Sequence, residues 1–226
     1  MFGTLALDNS DLLVLILICF FAGLIRGFSG FGLSAFVMSL ALTIIPPIEL
    51  IPVCWWMEFF ASVYMIKNGW KDSDKKISII LWFGAIFGLP IGILLTTILD
   101  FQTSKIVALV LILILALILL RNFKIQFLST TVGTISSGVF AGIATGLASI
   151  GGMIVATYVL ASQNSARRMR ASLVLYILLN SVTTFIFLIV FDVMDHKAFA
   201  RGVLLTVPSS IGVVLGSILF MQKLEK

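Results

Sequence analysis

Long stretches without a charged side chain limit the fold of this chain more than any other feature. They cover residues 12–25, 27–48, 77–99, 125–166, 171–191 and 202–222. A helix needs about 20 apolar residues to cross a bilayer, so several stretches suffice for one crossing and 125–166 suffices for two. Only 11% of the residues are charged, whereas globular proteins carry roughly 25%. The sequence therefore predicts an all-α, polytopic helical membrane protein.

Composition and patterning argue against several other classes of protein. The hydrophobicity is continuous rather than alternating, which excludes a β-barrel. The net charge of +5 comes from Lys and Arg in short connections, which indicates membrane orientation rather than nucleic-acid binding. Cys19 and Cys54 lie in apolar segments and the chain has one His, so we expect core cysteines, no metal site and no cofactor.

The basic residues predict which side of the membrane each connection faces, because Lys and Arg are enriched in cytoplasmic loops. The predicted cytoplasmic clusters lie at 67–76, 121–124, 167–170 and the C-terminal 223–226. The poorly basic connections near Asp100 and at 192–196 should face outward. The N-terminus should also face outward, because its first charges, Asp8 and Asp11, are acidic. It does not resemble a cleaved signal peptide, since no basic region precedes the first apolar run. Single crossings then follow at 48–66, 77–99, 101–120, 171–191 and 202–222.

Two segments, 12–45 and 125–166, must each return to the side from which they start. Each is therefore predicted to be a hairpin, built either as a pair of short helices or as a re-entrant loop. The sequences FAGLIRGFSGFG at 21–32 and FAGIATGLASIG at 140–151 share five of twelve residues, three of them glycine. We therefore predict one membrane domain made of two repeats, 1–124 and 125–226, in opposite orientations. Inverted repeats with interrupted hydrophobic segments are typical of secondary transporters.

The glycines of this chain allow two interpretations. Glycines four residues apart, such as Gly84/Gly88/Gly92 and Gly212/Gly216, are typical of close helix packing. The glycines at the two reversals break that spacing, and an unwound backbone there would offer N–H groups to an anion, although the reversal alone would also need glycine. We predict a first glycine segment (Ser29, Gly30, Phe31 and Gly32) and a second glycine segment (Ser149, Ile150, Gly151 and Gly152) as the anion-binding backbone.

Four polar side chains lie within apolar segments and are further site candidates. Arg26 supplies charge to an anion if the first hairpin only dips into the bilayer, or marks the cytoplasmic side if both arms cross. Glu58 lies in the middle of its segment, and is predicted either to carry a coupling proton or to be a neutral packing residue. Tyr176 and Asn180 are secondary candidates, as ligands or as hydrogen-bonding groups between helices.

The two glycine segments resemble those of the TauE/SafE family, whose members are often called sulfite exporters. The resemblance rests on GxxxGFSGFG at 23–32, Pro46-Pro47, GxxxGLASIGG at 142–152 and Arg170-Ala171, and it extends over nearly the whole chain. It implies transport of sulfite or small organosulfur anions such as sulfoacetate, coupled to an ion gradient. The chain departs from the family pattern at Arg26 and Leu33, and ends at Lys226, where the family commonly continues into one more helix.

The sequence therefore predicts a proton-coupled secondary transporter with alternating access, not an enzyme, in the bacterial inner membrane. Its predicted partners are a small organic or inorganic anion and the lipid bilayer, with a homo-oligomer left open. The alternatives are a passive anion channel and a non-transporting membrane scaffold. An intramembrane hydrolase has the least support, since the sequence lacks His-Glu-x-x-His and paired aspartates on facing helices.

Overall fold

A computed structural model describes residues 7–121, 130–160 and 165–224, and every regular element within these ranges is an α-helix. The helices are α1 (Asn9–Ser29), α2 (Leu33–Ala41), α3 (Pro47–Gly69), α4 (Lys75–Ile98), α5 (Phe101–Arg121), α6 (Thr131–Ala148), α7 (Gly151–Leu160), α8 (Ala166–Val190) and α9 (His196–Leu224).

Seven of the described helices, all except α2 and α7, are long and apolar enough to cross a membrane. The polytopic all-helical fold is therefore confirmed. At about 1.5 Å per residue, α2 and α7 are about 14 and 15 Å long, roughly half of a bilayer core of about 30 Å. Each predicted hairpin thus consists of one long arm and one short arm. The parts of the second hairpin at 125–129 and 161–164 lie outside the described residues.

The chain leaves the helical conformation at both predicted reversals. Gly30 and Gly32 have φ angles of 89° and 90°, a left-handed conformation that glycine adopts without steric cost. At the second reversal Ser149 has a φ of 57°, and its N–H donates to the Thr145 carbonyl at 2.7 Å. These residues end the long arms and start the short ones.

Glycines bring two pairs of long helices into close contact. A Cβ atom at Gly88 in α4 would overlap the Val139 carbonyl of α6, and one at Gly142 would overlap the Ala85 carbonyl. The same holds between α1 and α9, where a Cβ at Gly23 would overlap the Ser209 carbonyl and one at Gly212 the Phe20 carbonyl. The packing interpretation is confirmed for the glycines of α4 and α9, and it extends to those of α1 and α6.

The end of each long arm is held by a side chain from the other half of the chain. Arg170 of α8 donates to the Gly27 carbonyl of α1. Thr96 of α4 donates to the Gly146 carbonyl of α6 at 3.1 Å. Gly27 and Gly146 occupy matching positions in the two similar sequences. The two halves are thus joined in corresponding ways, while their inverted orientation stays a prediction.

Candidate functional site

The two helix breaks meet at one central cavity of about 40 Å³. This volume exceeds the roughly 10–15 Å³ that a cavity needs to hold a water molecule. The start of α2 contributes Gly32, Ser34 and Ala35, and the break between α6 and α7 contributes Thr145, Ser149, Ile150, Gly152 and Met153. Helices α3 and α8 close the cavity with Trp55, Glu58, Tyr176, Ile177, Asn180, Ser181 and Thr184.

The first turns of both short helices line this cavity. The first N–H groups of a helix have no acceptor within the helix and carry its partial positive charge. Helix α2 begins after Gly32, which has no side chain to cap these donors. Two half-helix N-termini on one cavity form an arrangement suited to an anion.

Glu58 is the charged residue that lines the cavity, and each of its oxygens has a different partner. Oε1 accepts from the Ser34 hydroxyl at 2.9 Å and from the Ser34 N–H, in the first turn of α2, at 3.3 Å. Oε2 lies 2.8 Å from Arg26 Nε and forms an ion pair with it. The two atoms are not aligned well enough to form a hydrogen bond. Arg26 is 0% exposed and also donates from Nη2 to Ser62 at 2.8 Å. The carboxylate therefore joins a buried cation to the start of α2.

In the second half of the chain, the neutral residues Thr145 and Asn180 occupy the positions that correspond to Arg26 and Glu58. Thr145 aligns with Arg26 in the repeated sequence, and Asn180 lies in the middle of α8 as Glu58 does in α3. Asn180 Nδ2 donates to Thr145 Oγ1 at 3.4 Å, a long hydrogen bond. The site is therefore asymmetric, with a titratable ion pair on one side and a neutral polar pair on the other.

Besides Glu58 Oε2, which is paired with Arg26, two buried polar atoms of the cavity lining have no aligned hydrogen-bond partner among the described residues. These are the Tyr176 hydroxyl and Asn180 Oδ1. Thr145 lies close to the Tyr176 hydroxyl, but no well-aligned hydrogen bond joins them. Because buried polar atoms in native proteins are nearly always hydrogen-bonded, these two point to an occupant of the cavity, either water or a small ligand.

The structure brings together seven of the residues named from the sequence. Those that line the cavity are Gly32, Glu58, Ser149, Ile150, Gly152, Tyr176 and Asn180. Arg26 reaches it through Glu58. The described residues around the cavity include no group of three or more His, Cys, Asp or Glu side chains.

The other four candidates lie outside the cavity lining. Ser29 is a turn residue, since its hydroxyl contacts the Ile25 and Phe31 carbonyls and accepts from the Phe31 N–H. Phe31 packs its ring against the hydrophobic core, and Gly30 lies against Arg170. Gly151 lies against the Ala141 carbonyl and the Thr145 hydroxyl. Whether these residues bind substrate stays a prediction.

Sequence reasoning missed Ser34, Ser181, Thr184 and Trp55 as lining residues. Ser181 and Thr184 follow Tyr176 and Asn180 on the same face of α8, at helical spacing, so that polar stripe was a usable signal. Trp55 had no such signal, because its place at the cavity depends on how α3 packs against α8: its Nε1–H donates to the Ser181 carbonyl at 2.7 Å, 126 positions away in the sequence. The Arg26–Glu58 pair was missed because it too depends on helix packing.

Comparison with known protein families gives a match over most of the chain. A model of the family described as Sulfite exporter TauE/SafE matches residues 15–226. No curated protein and no solved structure matches the chain.

The buried ion pair predicts a specific pattern of stabilities. Arg26→Met alone leaves the Glu58 charge buried and unpaired, which we expect to destabilise the protein by about 3–5 kcal/mol. The double variant Arg26→Met/Glu58→Gln removes both charges and should regain most of that loss. Unfolding of the purified protein in detergent measures both, and equal losses in the single and double variants would contradict the coupling.

Proposed function

Because the chain belongs to the sulfite exporter TauE/SafE family, we propose that it is a secondary transporter for sulfite or small organosulfur anions such as sulfoacetate. The family is one of membrane transport proteins, and seven described helices are fit to cross a membrane. The observation that carries the proposal is the meeting of two half-helix N-termini at one buried polar cavity.

The chemistry of the cavity supports an anionic substrate. Its lining offers hydroxyl groups, an amide and the first N–H groups of two helices. Its one charged residue, Glu58, is neutralised by Arg26. Sulfite and sulfonates present three oxygen atoms that accept hydrogen bonds, which such donors would satisfy. The small volume of the cavity, about 40 Å³, favours a small anion, and under alternating access the cavity would widen to admit substrate.

Glu58 would couple the anion to a proton by occupying the donors that the anion needs. Its Oε1 accepts from the N–H and hydroxyl of Ser34, the groups that α2 would offer to a substrate. Protonation of Glu58 neutralises its charge, frees those donors and leaves Arg26 without a counter-ion. An anion in the cavity would then replace the ionised Glu58 carboxylate as the counter-charge to Arg26. The proton and the anion would each strengthen binding of the other, so the two would be carried in the same direction.

We propose alternating access in which the two halves move around the central cavity, in the bacterial inner membrane, with the N-terminus outside and the C-terminus cytoplasmic. Two of the basic clusters lie at one end of the bundle, which supports this orientation. Arg167 Nε lies 2.7 Å from Asp72, and Arg168 Nη2 lies 3.0 Å from Asp74. These contacts join the start of α8 to the loop before α4.

Transport in proteoliposomes tests the coupling. We expect an inward-directed proton gradient, with the outside acidic, to drive accumulation of sulfite or sulfoacetate inside the liposomes. Glu58→Gln should abolish that accumulation while anion exchange without a gradient remains. Glu49→Gln is the matched control, since Glu49 pairs with Arg201 and does not line the cavity. Unchanged gradient-driven accumulation in Glu58→Gln would remove Glu58 from the mechanism. Transport that dissipates every gradient without accumulation would indicate a channel, and no flux of any anion would indicate a scaffold.

The Tyr176 hydroxyl should donate to the bound anion. Tyr176→Phe removes that donor, and a hydrogen bond to a charged group contributes about 1.5–3 kcal/mol, so anion affinity should fall about 10- to 100-fold. Tyr158→Phe is the control, because Tyr158 is buried as well but bonds Thr134 at 2.7 Å, away from the cavity. Binding of sulfoacetate measured by calorimetry compares the two, and an equal effect would refute the assignment.

A further inference from the structure

A second cavity, of about 370 Å³, lies where α1 ends, α8 begins and α9 ends. It shares no lining residue with the central cavity. Its wall is mostly apolar and is built by Phe28, Phe31, Met169, Leu173 and Phe220. A cavity of this size and character is poorly suited to a small hydrated anion, because few donors would replace the anion's water.

Two cations border this apolar wall, each beside an aromatic ring. The guanidinium carbon of Arg170 lies 4.4 Å from the centre of the Phe220 ring, and Lys223 Nζ lies 5.5 Å from the centre of the Phe28 ring. No acidic side chain is among the described residues that line the cavity. The cavity therefore combines positive charge with an apolar wall.

We propose that this second cavity binds an anionic phospholipid. The phosphate of the headgroup would contact Arg170 and Lys223, and the upper part of an acyl chain would lie along the phenylalanine, methionine and leucine side chains. A free anion would contact Arg170 and Lys223 but leave the apolar wall uncovered. A neutral lipid would cover the apolar wall but leave the two cations without a counter-charge. The cavity also lies near the start of α8, where Arg167 and Arg168 are located. Basic pockets between membrane helices on the cytoplasmic side are suited to anionic headgroups.

A lipid at this place would act on the first helix break. Arg170 donates from Nη2 both to the Gly27 carbonyl in the last turn of α1 and to Ser217 of α9. Gly30 lies so close that an added Cβ would contact the Arg170 side chain at 2.8 Å. A headgroup held by Arg170 would therefore fix the position of the residue that holds the end of α1. Bound lipid should stabilise the fold whether or not the anion proposal is correct.

Lipid retention by the purified full-length chain tests this site. Protein in neutral detergent is titrated with phosphatidylglycerol or phosphatidylcholine, and bound lipid is counted by native mass spectrometry alongside the melting temperature. We expect phosphatidylglycerol to be retained and to raise the melting temperature more than phosphatidylcholine does. Lys223→Gln should weaken retention about fivefold, since a basic residue near an anionic lipid contributes about 1 kcal/mol and 1.4 kcal/mol is tenfold.

Lys105→Gln is the matched control, because Lys105 also lies over a phenylalanine ring, that of Phe101, but does not line the cavity. A second variant, Ala166→Trp, fills the cavity without changing its charge and should also reduce retention. Equal retention of the two lipids, or equal effects of Lys223→Gln and Lys105→Gln, would overturn the proposal. Binding of glycerol 3-phosphate as tight as that of the lipid would overturn it too, by showing that the acyl chain contributes nothing. None of these measurements depends on transport, so failure here is separate from failure of the proposed function.

Discussion

The carboxylate of Glu58 lies between a fully buried arginine and the first turn of a half-helix, and the site depends on that position. Removing a charged side chain from water is costly unless a counter-charge and hydrogen bonds replace the water. Arg26 obtains both from α3, through Glu58 and Ser62. The other oxygen of Glu58 satisfies Ser34, whose helix would otherwise present unpaired N–H groups to the cavity. One residue thus links α1, α2 and α3, and its protonation would change all three contacts.

The rest of the fold positions this carboxylate by packing helices without large side chains between them. Glycines let α1 approach α9 and α4 approach α6 until the backbones touch. Arg170 and Thr96 then hold the ends of α1 and α6 at their carbonyl groups. With the long arms fixed, the short arms α2 and α7 direct their first turns to the same cavity. The charged pair in one half and the neutral Asn180–Thr145 pair in the other make that cavity asymmetric.

Features encoded locally could be predicted from the sequence. The long helices follow from uninterrupted apolar runs, and the first break follows from Gly30 and Gly32, which adopt left-handed conformations. At the second break Ser149, not a glycine, adopts the left-handed conformation. Glu58 was recognisable because a carboxyl group in the middle of an apolar segment is costly. The pairing of Glu58 with Arg26 could not be predicted, since that contact depends on how α1 packs against α3. Phe31 shows the same limit: Gly32, next to it, lines the central cavity, but the Phe31 side chain packs against the core and borders the second cavity.

Proton uptake on anion binding tests most directly the claim that Glu58 and the substrate compete for the same donors. The purified protein is mixed in weakly buffered solution with methanesulfonate, whose charge does not vary across the pH range used. Where Glu58 is ionised in the free protein, we expect uptake of about one proton per anion bound. Glu58→Gln should still bind the anion but take up no proton. Anion binding by the unmodified protein with no proton uptake at any pH would show that Glu58 and the substrate do not compete.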